Sequence, residues 1–210
     1  MPDQLLAVRA SRRRHLGGLI GLALLAAVPP LAAQTAGATI GGVSFGGRAE
    51  VAGQQLRLNG VGLRASLFLK GFAAALYVPQ TGSSAEQVLG TPGPKRLRMR
   101  MLLDVPIEVF THAVQKGIRR NVPEAQQLAM RDRIGTLDAN LRAIGKVFDG
   151  DVIDLDFVPG SGLVIAVNGK PQAAPIPGED IYAALMSVFI GERPVDTKLK
   201  AGLLGQRSST

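Results

Sequence analysis

Residues 59–79 read NGVGLRASLFLKGFAAALYVP. Asn59-Gly60, with Gly62 two residues on, is turn chemistry that tolerates positive φ. Residues 67–78 form a run long enough for a strand, bounded by Pro79. Strand side chains alternate between faces. Leu67, Leu69, Gly71, Ala73, Ala75 and Tyr77 therefore share one face, and Phe68, Lys70, Phe72, Ala74, Leu76 and Val78 the other. Gly71, Ala73 and Ala75 leave the first face shallow enough for a helix to pack closely on it. Between the glycines and the strand stands one charge with no local partner, Arg64. An arginine turned into a cleft needs a carboxylate, because an uncompensated buried cation is very costly. Either an internal Asp or Glu supplies that group, or a ligand does, as a carboxylate or a developing oxyanion.

Upstream, residues 39–45 and 50–58 read as short strands separated by Gly46-Gly47 and Gly53. Downstream, residues 83–89 form a short helix begun by Ser84 and stopped by Gly90 and Pro92. Residues 97–103 alternate, with Leu97, Met99, Met101 and Leu103 inward and Arg96, Arg98 and Arg100 outward. The period then changes: Ile107, Phe110, Val114 and Ile118 mark one face of a helix after Pro106. A second helix begins near Pro123, with the stripe Ile134, Leu137, Leu141, Ile144 and Phe148. Strands over 152–158 and 163–167 follow, the second closed by Asn168-Gly169, a strong hairpin signal. Glu179-Asp180 opens a helix that Gly191 stops, and residues 196–204 form the last. This order predicts an α+β domain over residues 34–210, an antiparallel sheet with helices on one face.

Residues 1–33 read as a cleaved export signal. Arg9 to Arg14 precede an apolar run over 16–28, Pro29-Pro30 and the small pair Ala32-Ala33. That run is short of the roughly 20 residues that span a bilayer, so the predicted location is periplasmic or secreted. The leader's Arg9, Arg12, Arg13 and Arg14 against Asp3 account for a net +3 of the formal +8, leaving +5 on residues 34–210. Cysteine is absent, which removes disulfides, thiolate metal sites and a thiol nucleophile.

Several motifs fail on context. Gly60-x-Gly62-x-x-Ala65 matches a dinucleotide fingerprint in form, but a strand follows it and no acidic residue stands about 20 positions on. Asp149, Asp151, Asp154 and Asp156 lack the pattern of a calcium loop, and Asp154 and Asp156 read as a solvated strand face. Lys95, Arg96, Arg98 and Arg100 carry no interleaved aromatics for nucleic acid. They read as a second solvated face, with weak attraction to an anionic membrane surface as the remaining use. His112, the only histidine after the leader, falls off the apolar stripe of its helix. No metal site, cofactor site or nucleophilic triad is expected.

GVGLR followed by AALYV, then GPKRLRMRMLLDVP, GDVIDLDF, VNGK, PIPGED and IGERPVDTKLK, resembles the chalcone isomerase-like family, in particular its bacterial members. The resemblance runs from about residue 56 to residue 204. It implies that Arg64 sits in the ligand cleft between sheet and helices. In the enzymes of that family this arginine helps bind the attacking phenolate of a chalcone; in the plant fatty-acid-binding relatives it meets a carboxylate. The remaining polar set departs from the enzymes' pattern. Phe72 stands where they carry Thr, Phe110 where they carry the catalytic Tyr, Gly117 where they carry Asn and Val188 where they carry Thr. The nearest hydroxyl on that helix is Thr111.

One oxyanion donor commonly contributes about 2.7–4 kcal/mol to a transition state, so these replacements favour binding over catalysis. An apolar cleft with one cation at its mouth suits an amphipathic carboxylate such as a fatty acid. The expected ligand-binding set is Arg64 for the headgroup, with Phe72, Phe110, Val114, Gly117 and Val188 along the tail, and no catalytic residue. Two alternatives stay open: an isomerase or intramolecular lyase acting on an enone, and a structural envelope protein whose cleft is filled by its own side chains.

Overall fold

The computed structural model describes residues 36–66 and 69–206. The leader expected over residues 1–33 lies outside the described residues, as do Leu67 and Phe68 of the central strand. In chain order the elements are β1 (Ala38–Ile40), β2 (Val43–Phe45), β3 (Arg48–Val51), β4 (Gln54–Ser66), β5 (Leu69–Val78), α1 (Ala85–Gly90), β6 (Lys95–Met101), β7 (Val105–Pro106) and α2 (Ile107–Asn121). There follow α3 (Glu124–Ala129), α4 (Arg131–Arg142), β8 (Lys146–Val147), β9 (Val152–Val158), β10 (Gly162–Val167), β11 (Lys170–Pro171), α5 (Glu179–Ile190) and α6 (Thr197–Leu203). Seven strands make one curled antiparallel sheet in the order β11-β10-β9-β6-β5-β4-β3, while β1–β2 and β7–β8 are separate ribbons. The fold is α+β, as the order of patterns predicts.

Residues 59–62 are not a turn. They lie inside the 13-residue strand β4, where the register shifts between Leu58 and Gly60 as a bulge. Neither Gly60 nor Gly62 has positive φ. Their lack of a side chain serves close approach instead. A Cβ on Gly60 would stand 2.2 Å from the Gly202 carbonyl oxygen, and one on Gly62 would stand 2.6 Å from that of Leu199, both in α6. The tight helix contact therefore falls on β4 rather than on the shallow face of β5.

Ala73, Ala75 and Tyr77 pack instead with Phe45, Val51 and Leu56 from the N-terminal strands. The Tyr77 hydroxyl donates to the Gly46 carbonyl oxygen at 3.0 Å. The helices cover the opposite face, where Phe72, Ala74, Leu76 and Val78 join Leu97, Met99, Ile153 and Leu155. Eight residues of α5 are buried, making it the central helix of that layer.

The stripe read through Phe148 is interrupted. Met130 separates α3 from α4, and Gly145 at φ +76° turns the chain out of helical geometry. Leu137 and Leu141 are buried as expected, but Phe148 is exposed.

The two solvated faces expected on β6 and β9 are also corrected. Asp154 and Asp156 are only 3% and 7% exposed. Antiparallel register sets Arg96 opposite Asp156 and Arg98 opposite Asp154, so each acid faces a cation across the sheet. Lys95 is buried as well, over the Phe157 ring and 3.4 Å from Glu179. Burial pushes its ammonium pKa down, against the pull of Glu179. Of that basic run Lys95 is buried, Arg96 and Arg98 are half-buried and Arg100 is exposed.

Candidate functional site

A cleft of about 390 Å³ opens between the sheet and the helical layer, within the usual range of roughly 300–1,000 Å³ for small-molecule pockets. β4 contributes Arg64, and its register partner Phe72 on β5 faces the same way. Gly71 is the extra residue of a bulge beside them, because Arg64 pairs with Phe72 while Ala65 pairs with Lys70. Bulges re-aim neighbouring side chains, and here the irregularity falls at the one cation of the cleft. Helix α2 adds Val109, Phe110, Ala113 and Val114; α5 adds Val188 and Phe189. The Phe110 and Phe189 rings are 6.4 Å apart.

Five of the six residues expected from the sequence thus meet in one cavity: Arg64, Phe72, Phe110, Val114 and Val188. Gly117 does not line it. A Cβ there would stand 2.7 Å from Val188 Cγ2, so Gly117 admits Val188 at the crossing of α2 and α5. Val109 and Ala113 were legible in principle, since they share one face of α2 with Phe110. Val147 and Val195 also line the cleft, but they arrive from distant segments that no local pattern marks.

Among the described residues the lining contains no Ser, Thr, Tyr, Asn, Gln or His. The Thr111 hydroxyl is buried and donates to the Glu108 carbonyl oxygen at 3.0 Å, within its own helix. Two charged side chains reach the cleft, Arg64 and Asp104. Asp104 accepts from Lys146 Nζ at 2.9 Å and from the Asp149 N–H at 3.0 Å. Those donors hold its carboxyl below the usual carboxylate range. Arg64 Nη1 donates to Asp196 Oδ2 at 3.0 Å, so an internal acid already meets the guanidinium. Among the described residues the site offers an apolar bed, one partly neutralised cation, the tied carboxylate of Asp104 and no hydroxyl to orient a ketone or a water.

A family model described as chalcone isomerase-like matches residues 37–205. No curated protein matches the sequence significantly. Among solved structures, a fatty-acid binding protein of Arabidopsis thaliana is similar with a TM-score of 0.61 and 17% identity, covering 80% of this chain and 95% of that one. At that identity the likeness is one of fold.

Proposed function

The chain belongs to the chalcone isomerase-like family, and from that premise we propose that it is a noncatalytic carrier of a fatty acid or a similar apolar carboxylate. One observation carries the reading. Among the described residues the cleft is lined by aliphatic and aromatic side chains together with Arg64 and Asp104, and it presents none of the hydroxyls that ring closure of a chalcone would use. The likeness in fold to a plant fatty-acid binding protein is consistent with it. The carrier works outside the cytoplasm, on the strength of the basic and apolar segments at the N-terminus. The Arg64–Asp196 pair favours a second reading, a scaffold in which Arg64 is satisfied internally and the cleft needs no ligand.

Binding of palmitate and of methyl palmitate separates the two. A charge-assisted hydrogen bond contributes about 1.5–3 kcal/mol. Arg64 is 34% exposed, so solvent screening brings the expected loss in Arg64→Ala to the lower end, about tenfold in palmitate affinity. The ester's affinity should barely move. If wild type binds neither molecule, or if Arg64→Ala loses thermal stability with no selective effect on acid over ester, Arg64 belongs to the scaffold.

A further inference from the structure

Asp196 stands behind Arg64, outside the residues that line the cleft, and its carboxylate is held from two sides. Oδ1 accepts from the backbone N–H groups of Lys198 at 2.8 Å and Leu199 at 3.0 Å, capping α6. Oδ2 accepts from Arg64 Nη1. The helix that carries this cap is itself seated against Gly60 and Gly62 of the strand that carries Arg64. Asp196 therefore cannot swing away from the guanidinium without uncapping α6. Among the described residues Arg64 makes no second side-chain hydrogen bond, and it is one of the residues that line the cleft.

We infer that Asp196 is a specificity-determining residue, an internal carboxylate that shares Arg64 with the ligand and lowers the cleft's preference for anionic over uncharged headgroups. The inference rests on the carrier reading above. A ligand carboxylate on the free edge of Arg64 would lie roughly 6 Å from the Asp196 carboxylate, a distance at which two like charges still repel appreciably in a medium of intermediate dielectric. An uncharged alcohol, ester or ketone headgroup meets no such repulsion from Asp196. Asp196 thereby narrows the margin by which the cleft favours an acid over its ester, and keeps binding of the fatty acid anion reversible.

Asp196→Asn tests this, because Asn caps a helix as well as Asp while removing the charge. Palmitate affinity should rise about tenfold after allowance for screening at this partly exposed pair, and methyl palmitate affinity should stay within about twofold. Asp196→Ser, neutral and also a strong cap, should behave alike and keeps the test intact if the Asn variant folds poorly. A variant whose acid-to-ester ratio is unchanged, or whose palmitate affinity falls, overturns the inference while leaving the carrier reading standing. Wild type that binds neither acid nor ester overturns both.

Discussion

Arg96 grips Asp156 through Nε and Nη2 at 2.7 and 2.6 Å, and Arg98 grips Asp154 at 2.7 and 2.8 Å. These two-point contacts are the strong form of the ion pair, and burial gives them consequence. Desolvation pushes the Asp156 carboxyl up, against the pull of Arg96. Removing one partner is costly because the other charge is left desolvated and alone, about 3–5 kcal/mol for a fully buried pair. Arg98 is 35% exposed, so Asp154→Ala should cost about 2 kcal/mol, read as a lower urea midpoint at unchanged slope. A loss under about 0.5 kcal/mol would mean that water already solvates Arg98. The alternating positions of these four residues were readable from the chain, and their burial was not. Alternation assigns a residue to a face of the sheet; whether solvent reaches that face depends on which strand lies alongside.

At the level of elements, the contact between β4 and α6 does two jobs. It closes the sheet's helical face, and it places the Asp196 cap beside Arg64. Two glycines allow it, and the nearest atom a methyl group would meet at each is a backbone carbonyl oxygen, which cannot rotate aside. Gly62→Ala should cost at least about 1–3 kcal/mol, the usual range for overpacking. Because α6 must move, the acid-to-ester preference of the cleft should change with it. A variant as stable as wild type would show that α6 has slack. Several element boundaries were legible from a local signal, although Asn59-Gly60 signalled a turn where β4 runs through. Ser84 caps α1 by accepting from the Gln87 N–H, α2 follows Pro106, α5 opens at Glu179, and Asp196 caps α6. The break at Met130 was hidden, because an apolar stripe at helical spacing runs unchanged across two helices that meet end to end.

On the scale of the whole molecule, the proposal of export rests on the order of the chain. Residues 1–33 hold a basic segment and a short apolar run, followed by small residues suited to cleavage. If that leader is removed, intact mass of the exported protein should place the new N-terminus near Gln34 or Thr39; a mass that retains Met1 argues against cleavage. The succession of periods, strands then helices then strands and helices, was enough to determine the α+β class. The motifs from GVGLR to IGERPVDTKLK were enough to determine the family. The resemblance set Arg64 in the cleft and put Phe72, Phe110 and Val188 where the family's enzymes carry hydroxyls. Only the tertiary structure decided what Arg64 faces. Its partner lies 132 positions away, on a helix brought in by two glycines. No periodicity encodes that pairing, since it arises where separately formed elements pack and the long-range contact settles which charges share one site.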